Sequence, residues 1–294
     1  MSHGPIKPVD SPFLVPFDGS FSIADSRTDP PRGAPDKAAC KHELARLVDE
    51  LDAQQHLLYA HGSHSVLLIF QAMDAAGKDS TIRAVLTGVD PAGCEVHGFR
   101  QPTPEELDHD FLWRTTRKLP QRGHIGVFNR SYYEEVLAVR VHPQYLKAQR
   151  VDLPKRRSDI WEQRYESIRD HERHLARNGT LILKFWLHVS KEEQRQRFLS
   201  RLTEPEKNWK FRYGDVRDRA AWKKYMNAYE HALRETSRPW APWYAIPADD
   251  KPYMRMSVAA LVVEAIGKLK LEYPKASAQE RKHFRAMRKA LARE

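Results

Sequence analysis

Apolar residues in this chain recur in two rhythms. From about Asp36 to His61, Leu44, Leu47, Val48, Leu51, Leu57 and Leu58 fall at helical spacing. The period then changes. Ser65–Phe70 is a continuous apolar run containing β-branched residues, the pattern of a strand buried on both faces. Cys94–Phe99, Gly123–Phe128 and Leu181–Val189 are further strand candidates. Between them lie segments that predict helices: one starting near Lys78, one over Pro104–Lys118, and a charged one over Lys155–Arg177 that stops at Asn178-Gly179. Ser190 predicts the cap of another helix, with Glu193 as its capping-box partner. Strands alternating with helices predict an α/β fold: a central parallel sheet with crossover helices on both faces.

The ends read differently. Residues 1–36 are rich in Pro, Asp, Ser and Gly and predict an irregular arm that either lies on the body or stays mobile. Residues 37–272 form the main domain, and 273–294 a basic C-terminal helix whose simplest reading is a solvated surface helix. The longest clean apolar run, Val66–Phe70, is far too short to cross a bilayer, and the N-terminus lacks a signal-peptide core.

Composition narrows the class. Of 294 residues 41% are hydrophobic, enough for a sizeable core. Forty-nine basic against 39 acidic residues give +10, a charge that attracts polyanions without choosing among nucleic acid, nucleotides and polyphosphate. The two cysteines, Cys40 and Cys94, form no C-x-x-C pair, so neither a disulfide framework nor a cysteine zinc site is expected, and a reducing cytoplasm fits.

The candidate chemistry follows the first strand, in Gln71-Ala-Met-Asp-Ala-Ala-Gly-Lys-Asp-Ser-Thr81. A phosphate loop needs a buried strand, a tight turn, a glycine where backbone meets phosphate, a lysine and a helix N-terminus. All are present in order. The match to G-x-x-x-x-G-K-[ST] is incomplete, because Ala72 replaces the first glycine and Asp79 follows Lys78. An ordinary strand-to-helix turn is the competing reading. Asp79 cannot supply the Mg²⁺-binding hydroxyl, and Ser80 is out of register for it. Asp74 would repel phosphate unless it holds Mg²⁺ or orients the acceptor phosphate; otherwise it only stabilises the turn. At the end of the third strand, Asn129 stands where a Walker B carboxylate is expected. Arg130 can clamp a phosphoryl oxygen, or else form a surface ion pair with Glu134 or Glu135.

Several longer blocks resemble the polyphosphate kinase type 2 family. Asp74–Lys78 resembles its Walker A, and Phe128-Asn-Arg-Ser-Tyr-Tyr-Glu134 its Walker B block. Arg201-Leu-Thr-Glu-Pro-Glu-Lys-Asn-Trp-Lys-Phe211 resembles its lid motif; Arg219–Tyr225 and Ala241–Lys251 follow in place. The resemblance spans roughly residues 40–270. It implies a three-layer P-loop kinase fold with a helical lid over about 203–225. It implies phosphoryl transfer between inorganic polyphosphate and AMP or ADP, giving ADP or ATP, with guanine nucleotides as further candidates. The start Gln71-Ala-Met-Asp and the Asn129 form look most like the class III branch. Mg²⁺, with Mn²⁺ as the alternative, and a cytoplasmic homo-oligomer, dimer or tetramer, are expected with it. Arg212 and Glu204 depart from the usual lid residues.

The expected catalytic set is Asp74, Lys78, Asn129 and Arg130, with Asp74 as the metal ligand. Ala75, Ala76, Gly77, Asp79, Ser80, Thr81, Arg201, Lys207 and Lys210 are expected to bind phosphate or nucleotide. Between Arg195 and Lys224, ten basic residues meet four acids, interleaved with aromatics such as Trp209 and Tyr213. That mixture suits polyphosphate beside a stacked base, and equally suits single-stranded nucleic acid. Two other readings stand beside the first: an ATP-dependent nucleoside monophosphate kinase of thymidylate-kinase-like type, and a non-enzymatic basic nucleic-acid-binding protein. The latter lacks a zinc pattern, an RRM signature or a helix-turn-helix unit, so no specific nucleic acid is expected as a partner, and no membrane.

Overall fold

The computed structural model describes residues 6–152 and 154–294; the first five residues of the expected arm lie outside them. The helix α1 (Lys37–His61) begins at Asp36, whose carboxylate accepts from the Ala39 N–H at 2.8 Å, and ends at Gly62 in the left-handed region. Strand β1 (Ser65–Gln71) follows, then α2 (Lys78–Val85) and β2 (Cys94–Gly98). Two short helices, α3 (Pro104–Leu107) and α4 (Trp113–Thr116), precede β3 (Ile125–Asn129). A 3₁₀ turn over Tyr132–Glu135, the short α5 (Ala138–Val141) and the long α6 (Arg157–Arg177) lead to β4 (Thr180–His188). Then come α7 (Lys191–Thr203), a 3₁₀ turn over Pro205–Lys210, α8 (Tyr213–Ala220), α9 (Trp222–Thr236), β5 (Trp243–Pro247), α10 (Lys251–Gly267) and α11 (Ala278–Leu291).

The strands form one parallel sheet in the order β2-β3-β1-β4-β5. Every residue of β1 is buried, as a central strand covered on both faces requires. Its continuous apolar sequence is the cause: an alternating strand would leave one face wet. Helix α10 packs along α1 and against α2; α6 packs on β4 and against α9. This is the α/β layering expected from the alternation of elements.

Two expectations need correction, and one strand is added. The segment Pro104–Lys118 is two helices: the first ends at Asp108, and the Asp110 carboxylate accepts the Leu112 N–H at 2.9 Å just before the second begins. Ser190 does cap α7, accepting from Glu193 N, but the reciprocal bond is missing: Asp249 takes the Ser190 N–H at 2.7 Å, and the Glu193 carboxylate turns to Arg197. Strand β5 was not anticipated at all.

The described part of the arm lies on the body. Leu14 bridges Tyr244 antiparallel, with Val15 N–H on Trp243 O (2.9 Å) and Ala245 N–H on Phe13 O (2.8 Å). Val9 and Val15 are buried, and the Val9 N–H donates to the Tyr244 hydroxyl at 3.0 Å. The arm therefore covers the β5 edge, which would otherwise present unpaired backbone groups.

Candidate active site

The C-terminal ends of β1 and β3 lie side by side, with Phe70 opposite Asn129. In open α/β sheets such ends face the ligand crevice. The loop leaving β1 turns tightly: Ala75 has φ +62° and Gly77 φ +111°, both in the left-handed region. A side chain at Gly77 would be strained there and would also meet Met254 Cε at 3.1 Å. The turn delivers Lys78 as the first residue of α2, so loop N–H groups and the positive helix end face the same space.

Lys78 is almost fully buried, and its ammonium folds back onto the loop. It donates to Ala72 O at 2.8 Å and Met73 O at 3.4 Å. Burial, helped by the neighbouring Arg130 cation, pulls its pKa down to about 8 against the opposing pull of Asp74. Arg130 also has a left-handed backbone (φ +64°), and its N–H donates to Phe70 O at 3.0 Å. Its guanidinium reaches across to Asp74 Oδ1 at 2.6 Å and lies 3.8 Å from Glu134. Glu135, the other partner considered from sequence, pairs instead with Arg164 at 3.2 Å. Burial pushes the Asp74 carboxyl up, but Arg130, Lys78 and Arg201 together outweigh it and hold the group below its ordinary range. Asp74 is therefore an ionised carboxylate inside a cluster of cations. Asn129 donates to Asp79 Oδ1 at 2.5 Å, tying the end of β3 to the first turn of α2.

The other expected residues divide. Ser80 Oγ donates to Gly77 O at 3.0 Å and braces the turn. The Thr81 side chain does not line the loop: it is fully buried, with its hydroxyl on Met254 Sδ at 3.8 Å. Arg201 pairs with Asp215 at 3.3 Å and is close enough to depress Asp74. Lys207 pairs with Glu204, and Lys210 sits over the exposed Trp209 ring at 5.1 Å. Among the described residues, no hydrogen bond or ion pair joins Lys207 or Lys210 to the loop.

Two residues that sequence reasoning did not single out hold the loop from above. Arg197 uses all five of its N–H donors: Nε to Glu193 (2.7 Å), Nη1 to Ala75 O (3.1 Å) and Ala76 O (2.7 Å), Nη2 to Ala248 O (2.7 Å) and Asp249 O (3.1 Å). Gln194 donates to Asp74 O at 2.9 Å and accepts from Arg219 at 2.9 Å. The only sequence signal was the spacing itself, which puts Glu193, Gln194 and Arg197 on one side of α7.

Beneath Arg130 lies a buried polar network. Tyr132 and Tyr133 donate to Glu172 Oε1 at 2.9 and 2.8 Å. Lys184 donates to Glu172 Oε2 (2.6 Å), the Tyr133 hydroxyl (2.8 Å) and Thr236 O (2.8 Å). Glu172 and Lys184 are fully buried, and every ammonium proton has an acceptor. The network fixes the turn after β3, and with it the position of Arg130.

Above the loop opens a cleft bounded by Asp74, Arg130, Phe99, Arg114, Tyr225 and Tyr229. It encloses about 360 Å³, within the range of about 300–1,000 Å³ usual for small-molecule sites. Its lining mixes aromatic rings with four arginines and six carboxylates.

Known proteins share this sequence and fold. Residues 34–274 match the Polyphosphate kinase 2 (PPK2) family. The chain is 55% identical over 252 residues to an ADP-polyphosphate phosphotransferase of Rhodopseudomonas palustris, covering 85% of this chain and 87% of that protein. It is 48% identical over 241 residues to an AMP/ADP-polyphosphate phosphotransferase of Meiothermus ruber, covering 81% and 85%. A crystal structure of polyphosphate kinase 2 from Arthrobacter aurescens superposes with a TM-score of 0.85 at 38% identity, covering 96% of this chain and 98% of that one. A match across residues 34–274 and relatives at 55% and 48% identity agree: the chain belongs to the polyphosphate kinase 2 family.

Proposed function

We propose that this protein transfers phosphoryl groups between inorganic polyphosphate and AMP or ADP, reversibly, producing ADP or ATP. The observation that carries this reading is the family match over residues 34–274, a segment that contains the loop, Arg130 and both residues holding the loop from α7. The relatives named for AMP/ADP- and ADP-polyphosphate transfer support these substrates.

Phosphoryl transfer asks for positioning and charge neutralisation more than covalent chemistry. The loop N–H groups and the N-terminus of α2 hold one phosphate chain. Lys78 leaves the carbonyls of Ala72 and Met73 to meet a phosphoryl oxygen. Arg130, already aligned by Asp74, neutralises charge on the transferred group, and Arg201 adds to it. The acceptor is itself an ionised phosphate, so no strong general base is needed. Asp74 fits a divalent cation, Mg²⁺ with Mn²⁺ as the alternative: Arg130 engages Oδ1, and Oδ2 carries no hydrogen bond among the described residues. Mg²⁺ is commonly held by one or two carboxylates plus substrate phosphates, so a cage of several acids is not required. When bound, the cation would spread the negative charge of the reacting phosphates. The segment 203–225 acts as a lid that excludes water and limits hydrolysis, with Lys207 and Lys210 reaching the phosphates on closure. A cytoplasmic homo-oligomer completes the reading.

The test is a donor comparison. The protein is incubated with AMP or ADP and Mg²⁺, with either polyphosphate or ATP, and products are followed by phosphorus NMR. Product is expected with polyphosphate. Product with ATP alone would assign the chain to ATP-dependent nucleotide kinases instead.

A further inference from the structure

Helix α11 lies beyond the family match, which ends at residue 274. It is built as a helix: Ser277 accepts from Glu280 N, and the Glu280 carboxylate accepts from Ser277 N. Every residue of it is exposed. Phe284, Met287 and Leu291 are 59%, 59% and 68% exposed, and none joins the hydrophobic core. Their spacing of three and four residues puts them on one stripe. Lys282, Arg285 and Lys289 lie on the opposite side, and Arg281 and Arg288 flank the stripe. From Lys275 to Glu294 there are seven basic and two acidic residues, so this segment carries +5 of the chain's +10.

We propose that α11 lays this stripe into the surface of an anionic lipid bilayer, with its basic residues on the headgroup phosphates. Two kinds of complementarity are needed, and they choose the occupant. A soluble polyanion such as polyphosphate matches the charge but offers nothing apolar to Phe284, Met287 and Leu291. A second copy of the helix matches the stripe but brings the same +5 charge against it. An anionic bilayer offers both phosphates and hydrocarbon, and a short amphipathic basic helix with little overall hydrophobicity is the form that lies in such an interface. A helix of this length is marginal alone in water, so the interface also consolidates it. Attachment through three apolar side chains is peripheral and reversible. This departs from the reading of the sequence, in which the helix is only solvated and no membrane is a partner. It does not touch the absence of a spanning segment: among the described residues, no helix is long and apolar enough to cross a membrane.

The experiment is co-sedimentation of the full chain with sucrose-loaded vesicles, of phosphatidylcholine alone or mixed equally with phosphatidylglycerol. Binding is expected to the anionic vesicles only, and to weaken as salt shortens the screening length. The double variant Phe284→Ser/Leu291→Ser is expected to bind about tenfold more weakly. The triple variant Arg281→Gln/Arg285→Gln/Arg288→Gln should lose about a hundredfold, roughly fivefold per charge. Both should keep wild-type phosphotransfer in solution. The proposal fails if the wild-type chain stays in the supernatant with anionic vesicles, or if the serine variant binds them as well as wild type. Polyphosphate binding that the triple variant loses, without any vesicle binding, would assign the helix to a soluble polyanion and equally overturn it.

Discussion

The Arg130 guanidinium lies 2.6 Å from the Asp74 carboxylate, so a residue ending β3 is locked to the turn that follows β1. The pair holds the Arg130 guanidinium in a fixed direction. Arg130→Ala should lower kcat by about 10²–10³, the usual cost of removing one transition-state donor. Arg130→Lys should recover little, because an ammonium cannot keep Asp74 and a phosphoryl oxygen on a planar fork. Steady-state rates with polyphosphate and ADP, beside melting curves showing intact folds, decide this.

Lys78 gives a proton signature. Its pKa is lowered to about 8 from 10.5, so between these values the folded chain binds fewer protons than the unfolded one. The cost of burying its charge is therefore fully present below about pH 8 and fades as pH rises toward 10.5. A phosphate bound at the loop restores the charge, so binding near pH ~8.5 should take up more than half a proton. Titration calorimetry in buffers of different ionisation enthalpy measures it. Lys78→Ala should abolish both the uptake and transfer while leaving the fold intact; unchanged turnover would remove Lys78 from the site.

Arg197 predicts a stability effect coupled to activity. Arg197→Lys keeps the charge but cannot serve four carbonyls in two directions, leaving buried acceptors unpaired. A loss of about 3 kcal/mol in urea unfolding is expected, at about 1–3 kcal/mol per abandoned group. Gln194→Ala should cost about 1 kcal/mol and still slow transfer, since it frees the Asp74 backbone.

The Glu172–Lys184 pair should behave as a buried ion pair. Glu172→Leu or Lys184→Met alone leaves an uncompensated charge and should destabilise by about 3–5 kcal/mol. The double variant should recover part of that loss. A double-mutant cycle in urea gives the coupling; additive single effects would mean that the two groups do not act as a pair.

How much of this was legible beforehand depended on what each signal measures. Ser65–Phe70 announced a central strand because burial on both faces demands a continuous apolar run, and the run is the sequence. Lys78, Asp74 and Arg130 were legible because phosphate chemistry constrains residue type at fixed spacing. Strand β5 was not, because Trp243-Tyr-Ala-Ile-Pro247 is short and ends in proline, and its pairing partners, β4 and the arm, are distant in sequence. Arg197 falls within the basic stretch from Arg195 to Lys224 and does not stand out there, since a buried arginine and a solvated one look alike until the carbonyls around them are placed. Lys207 and Lys210 were legible as positive charge, but their neighbours Glu204 and Trp209 decide where that charge points.

The strip of arm that covers β5 has a consequence for how the chain is made. Val9 and Tyr244 bond across 235 positions. On the ribosome the arm emerges well before its partner strand, so the arm must wait, unpaired, while the residues between them are synthesised. At about 5–20 residues per second that wait lasts on the order of ten seconds or more. Docking of the arm therefore has to follow synthesis of β5, and the edge of the sheet stays open to other chains until then.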